Sequence, residues 1–218
     1  MTINYKNTQW QNKKVIVGES DLDSEQPPRL LIGFHGAEST PENILLHGNK
    51  LKLSNTIYVY PEGPVDAGKG LWSWWQDGPK QSQTVQSFLD YTAGVVDAAH
   101  ELVMESSDQE PHLCLWGFSQ GAAAALVYSL MGSHTLHKVA SVCGFLPEVP
   151  EDQPRQAQNT SILGIYGLND EVVPSFLAEH ALEEMEGHGH RLTKKETPQS
   201  HEVHADNLAD IIQFLESE

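Results

Sequence analysis

An α/β fold, a mostly parallel central sheet flanked by helices on both faces, is predicted by three features of the sequence. Strand-like and helix-like runs alternate along the chain, as in successive β-α-β units. The middle strand-like runs are short and continuously apolar, as strands covered on both faces should be. The helix-like runs carry an apolar stripe at three-and-four spacing.

Taken in order, VIV at 15–17, RLLIGF at 29–34 and TIYVYP at 56–61 read as the first strands. Val85, Phe88, Leu89, Thr92, Val95, Val96, Ala99, Leu102 and Val103 then mark a helix with one apolar face. HLCLWGF at 112–118 is a strand that runs directly into a second helix beginning with four alanines, Ala122 to Ala125. KVASVCGF at 138–145, SILGIYG at 161–167 and RLTKKET at 191–197 complete the strands. Pro174 stands where a helix would start, because its missing N–H costs nothing there. Leu208, Ile211, Ile212 and Leu215 mark a last helix. PEVPEDQPRQAQNT at 147–160 reads as a surface loop, and GHGH at 187–190 as a solvated one. With no repeat or low-complexity tract, the length suits one domain over residues 1–218.

Composition narrows the function classes. The formal net charge is −17, and from Glu148 onward 15 acidic residues face four Lys/Arg. Such a field repels nucleic-acid phosphates and anionic lipid surfaces, so no nucleic-acid partner and no stable membrane insertion are expected. No apolar run approaches the ~18 residues of a membrane span. The N-terminal stretch lacks the apolar centre of a signal peptide, which leads to an expectation of a cytoplasmic protein. Cys114 and Cys143 lie in apolar strand-like runs and read as buried free thiols.

The chemistry centres on Gly117-Phe-Ser119-Gln-Gly121. A strand that turns at once into a helix crowds its turn, and glycines give room there. The turn puts Ser119 at its tip with a helix N-terminus behind it, the arrangement of a nucleophile elbow. The G-x-S-x-G pattern alone arises by chance in roughly one chain of this length in fifteen, so supporting residues are needed to separate a nucleophile from an inert turn. A serine hydroxyl needs a base, and the base an orienting acid, in the chain order Ser, Asp or Glu, His. Asp170 follows the strand SILGIYG on its loop, with Glu171 as the alternative; Asp170 could also only stabilise a turn. His201 follows RLTKKET, outside the last helix, and His204 lies three residues on. A metal pair formed by these two histidines lacks clear third and fourth ligands.

An oxyanion needs two backbone donors. One is the N–H of Gln120, the residue after the serine. The other is the Ala37 N–H, in the loop after the 29–34 strand, where Gly36 lets the backbone turn and His35 can hold the loop by a hydrogen bond. GLWSWWQDG at 70–78 reads as a loop; its tryptophans either fill the core or wall an apolar pocket, with Trp74 and Trp75 the candidates to touch an acyl chain.

Together, HGA at 35–37, SWW at 73–75, GFSQGAA at 117–123, GFLP at 144–147, NDEVVP at 169–174 and SHEV at 200–203 resemble the phospholipase/carboxylesterase family of α/β-hydrolases. Acyl-protein thioesterases are its best-known members. The likeness runs in register from about Arg29 to Leu215 and implies an α/β-hydrolase fold with Ser119, Asp170 and His201 as a triad and Ala37 and Gln120 as oxyanion donors. The sequence departs from the family pattern in the Ala37-Glu38-Ser39-Thr40 run, where the family often has a second Gly and an Asp, and at Gln76, Tyr166 and Ser200, none a triad position. The implied activity is hydrolysis of a small-molecule ester or thioester of short-to-medium acyl chain, with no metal and no cofactor, in a chain compatible with a homodimer. A ligand-binding protein on a hydrolase scaffold and a lactone or amide hydrolase are the alternatives.

Overall fold

The computed structural model describes residues 3–23, 25–150 and 159–217. Residues 151–158 of the expected surface loop lie outside them. Ten strands and five helices are described, in the order β1 (Asn4–Trp10), β2 (Lys13–Glu19), β3 (Arg29–Phe34), α1 (Pro41–Gly48), β4 (Thr56–Pro61), β5 (Val65–Gly68), β6 (Leu71–Ser73), α2 (Gln81–Ser106), β7 (His112–Phe118), α3 (Gln120–Met131), β8 (Lys138–Val142), β9 (Ser161–Gly167), α4 (Ser175–Gly187), β10 (Arg191–Thr197) and α5 (Ala205–Glu216).

Eight strands form one sheet in the order β1-β2-β4-β3-β7-β8-β9-β10. From β4 to β10 every neighbouring pair is parallel, while β1 and β2 join antiparallel at one edge. The strands are apolar throughout because both faces are covered. Leu30, Ile32 and Phe34 of β3 share a core with Phe88 of α2, Leu126 of α3 and Leu182 of α4. Leu31, between them, points the other way and joins Ile44 of α1 and Ile211 of α5. Alternate residues of β7 divide likewise, Leu113 and Leu115 to the first core, Cys114 and Trp116 to the second. Both cysteines are free and buried.

All twelve residues of α3 are buried, so this helix shows no polar face at all. Its four alanines let it lie against the sheet. At Gly117 a Cβ would come within 2.3 Å of the Gly121 carbonyl oxygen; at Gly121 a Cβ would come within 2.2 Å of the Phe34 oxygen. The two glycines therefore allow β7, α3 and the end of β3 to meet at backbone distance.

Several expectations are corrected. The KVASVCGF strand ends at Val142, because Cys143 adopts φ 53° and leaves the extended conformation. Pro174 caps α4 rather than opening it, since its ψ of 141° is extended. His190, expected in a solvated loop, is buried at 4% exposure. The 70–78 stretch contains strand β6, which pairs with β5 and, through Trp72, with Ser39. Strand β1 escapes sequence reading because it is polar and half-exposed at the sheet edge; Gln11 and Asn12, both at positive φ, form the two-residue turn that joins it to β2.

Candidate active site

Three loops at the carboxyl ends of β7, β9 and β10 bring Ser119, Asp170 and His201 together, where ligands bind in open parallel sheets. Ser119 stands between β7 and α3 at φ 57° and ψ −125°. Its N–H donates to the Val142 carbonyl at 3.0 Å and its own carbonyl accepts from Ala123. The sharp turn so pinned presents the hydroxyl outward.

His201 Nε2 lies 2.9 Å from Ser119 Oγ, and His201 Nδ1 lies 2.8 Å from Asp170 Oδ2. The ring packs against Phe118, with centroids 4.8 Å apart. The second carboxylate oxygen of Asp170 accepts the backbone N–H groups of Val172 and Val173 at 2.9 and 2.8 Å. Burial would raise the Asp170 pKa, but the hydrogen bonds from His201, Val173 and Val172 together hold it below the usual carboxylate value. An ionised carboxylate facing Nδ1 fixes the tautomer that leaves Nε2 free to accept the serine proton. Glu171, the alternative acid, is exposed, whereas Asp170 is 6% exposed. His204 instead precedes α5, where its backbone N–H donates to Asn207 at 2.8 Å. Cys143, Asp170 and His201 place one ligand-type atom each within 4.8 Å of one another. Burial is the main force that pushes the Cys143 thiol up to about 12, which disfavours the thiolate a metal requires.

The loop after β3 is held by His35. Its Nδ1–H donates to the Gly36 carbonyl at 2.7 Å, and its Nε2 accepts the Gly63 N–H at 3.0 Å. Burial lowers the His35 pKa to about 4, outweighing the opposing effects of the Gly36 carbonyl and Glu42, so the ring is neutral with one donor and one acceptor. The left-handed residue of this loop is Glu38, at φ 49°. Glu38 N–H donates to Ser73 Oγ. Among the described residues the N–H groups of Ala37 and Gln120 donate to no other group, and Gln120 opens α3, where no helical partner exists.

Trp74 and Trp75 do not touch the site cavity. They are 0% and 1% exposed, in edge contact with Phe88 in the core, so the pocket reading of both is corrected. Their role is support. Trp74 Nε1 donates to the His35 carbonyl at 2.7 Å, and its ring packs at a tilt against the His35 imidazole, with centroids 4.8 Å apart. The Gln120 side chain accepts from Trp74 N–H at 2.9 Å and donates to the Trp75 carbonyl at 3.3 Å. Sequence reading missed this clamp, for which it offers only the nearness of Gln120 to the serine.

A cavity of about 430 Å³ opens at Ser119, lined by the 36–39 loop, Asn43, Ile44 and His47 of α1, Phe118, Val172 and His201. The phospholipase/carboxylesterase family model matches residues 19–218, nearly the whole chain. The chain belongs to the phospholipase/carboxylesterase family. It is thus a hydrolase of the carboxylesterase type. Among solved structures it is similar to a carboxylesterase from Mesorhizobium loti, with TM-score 0.79 and 15% identity, over 99% of this chain and 100% of that one. It is similar also to SOBER1 of Arabidopsis thaliana, with TM-score 0.74 and 20% identity over 86% and 97%. A carboxylesterase from Bacillus cereus matches with TM-score 0.71 and 16% identity over 94% and 93%. At these identities the likeness shows a shared fold. No curated protein sequence matches significantly. Among the described residues no helix is long and apolar enough to cross a membrane.

Proposed function

We propose that this member of the family is a serine hydrolase that cleaves small-molecule carboxylic esters or thioesters of short-to-medium acyl chain. The observation that carries the reading is the unbroken path from Ser119 Oγ through both nitrogens of His201 to Asp170, with every step below 3.0 Å. His201 takes the Ser119 proton as the oxygen attacks the carbonyl carbon. The N–H groups of Ala37 and Gln120 receive the negative charge on the carbonyl oxygen. His201 then protonates the leaving alcohol or thiol, and an acyl-Ser119 ester remains. Water, deprotonated by His201, attacks that ester and releases the acid, while Asp170 stabilises the imidazolium in both halves. The apolar part of the cavity, Ile44, Phe118 and Val172, suits a modest acyl or alkyl group.

A fluorophosphonate probe tests the nucleophile, and a series of p-nitrophenyl esters of rising chain length tests the substrate. The expected result is covalent labelling that disappears in Ser119→Ala, with hydrolysis best for short and medium esters. A probe that leaves Ser119 unmodified would mean that the scaffold binds without catalysing.

A further inference from the structure

Among the described residues the cavity at Ser119 is lined by apolar and neutral polar residues apart from its histidines, with one acidic residue, Glu38. No described lysine or arginine lines it. Three observations single Glu38 out. It occupies φ 49°, a conformation that glycine adopts freely and a glutamate only at a cost. The fold enforces this, because the Glu38 N–H is tied to Ser73 and the next residue, Ser39, is bridged to Trp72 through both backbone groups. Its carboxylate has no ion-pair or hydrogen-bond partner among the described residues, and Lys13 and Lys14 of nearby β2 are paired with Glu62 and Glu42. A strained residue at the rim of a reacting centre, adjacent to the Ala37 donor, points to a role in what enters. The net charge of −17 adds a field of the same sign at longer range.

We propose that Glu38 is a specificity-determining residue that selects esters carrying a cationic group and rejects anionic ones. This inference rests on the hydrolase reading above. It places the substrate class among neutral and cationic esters, of which an amino-alcohol or quaternary ammonium ester is the favoured kind, and it disfavours polyanionic thioesters such as acyl-coenzyme A. The carboxylate sits outside the reacting atoms and acts through charge alone. It should therefore change kcat/KM for charged substrates and leave a neutral isostere nearly untouched.

The test compares three acetate esters of similar size: acetylcholine, its neutral 3,3-dimethylbutyl analogue, and an anionic carboxyalkyl ester. Wild-type enzyme should rank them cationic, neutral, anionic in kcat/KM, with the spread shrinking as salt is added. Glu38→Gln keeps the shape and removes the charge; the cationic-to-neutral ratio should fall about two- to fivefold, and the cationic-to-anionic ratio about tenfold. Glu38→Gly should show the same loss of preference, which guards against an effect of the glutamine side chain. Ratios that stay put in both variants overturn the role of Glu38 while leaving the hydrolase reading intact. If wild type cleaves none of the three esters and binds no fluorophosphonate, the hydrolase reading fails and this inference with it.

Discussion

Ser119 carries its hydroxyl on a backbone at φ 57°, a region that disfavours any side chain bearing a Cβ. The strain is held by packing at Gly117 and Gly121 and exposes the oxygen to His201. Replacing Ser119 by Ala should lower kcat about 10⁶-fold without loss of folded protein, as measured by ester turnover beside circular dichroism. Retention of even a tenth of the wild-type rate would exclude Ser119 as the nucleophile. Asp170→Asn should keep the geometry but present a donor to Nδ1 and so favour the wrong imidazole tautomer; a drop of about 10⁴-fold in kcat is expected, read in the same assay. The serine and its two partners are legible in the sequence because chemistry restricts their types and the fold restricts their order. Glu38 was seen only as a departure from a pattern. Its backbone conformation and its place on the cavity rim follow from the bridge to Trp72, a contact that no local signal announces.

At the scale of elements, the decisive contact is the meeting of β7, α3 and the end of β3. Gly121→Ala would push a methyl group into the Phe34 and His35 carbonyl oxygens, at 2.2 and 2.4 Å. Neither is the flexible end of a side chain, so the backbone itself must move. Loss of both thermal stability and turnover is expected, and a variant with unchanged melting temperature and rate would refute the packing argument. The tryptophan stretch makes the opposite point. Its position after a turn reads as a loop near the substrate, yet β5 and β6 fold it back so that Trp74 and Trp75 fill the core and brace the His35 loop. Trp75→Ala should destabilise by about 3–5 kcal/mol in denaturant unfolding. Any fall in kcat/KM should be the same for short and long acyl chains; a loss that grows with chain length would restore the pocket role. Core and pocket aromatics have the same composition, and only the direction of the following backbone separates them.

For the whole molecule, burial of neutral His35 links catalysis geometry to acid stability. The imidazole has a pKa of about 4 in the folded protein against 6.5 as a free group, chiefly because burial disfavours its charge. The unfolded chain therefore takes up a proton near pH 6.5, and the folded chain does so only near pH 4. Stability is full above pH 6.5 and falls as pH drops between these values, by on the order of 3 kcal/mol. The lowered Asp170 pKa acts further down: its contribution is present above the usual carboxyl value and is lost as pH falls through the folded one. Urea midpoints measured from pH 7 to 4 should decline, and His35→Asn should flatten the decline. An equal slope in that variant would show that other groups dominate the acid limb.

The amino-acid sequence by itself determined the α/β layering, the central-sheet strand runs between Arg29 and Thr197, and which serine, acid and histidine the fold brings within hydrogen-bond distance of one another. These rest on periodicity and on residue type at strand ends, which are local properties. Tertiary structure alone decided which face the tryptophans take, where β1 pairs, why β8 stops at Val142, and which loop residue bears the left-handed backbone. Each of those depends on a contact between segments distant in the chain, and the cost or gain of such a contact is set by space that only the folded molecule defines.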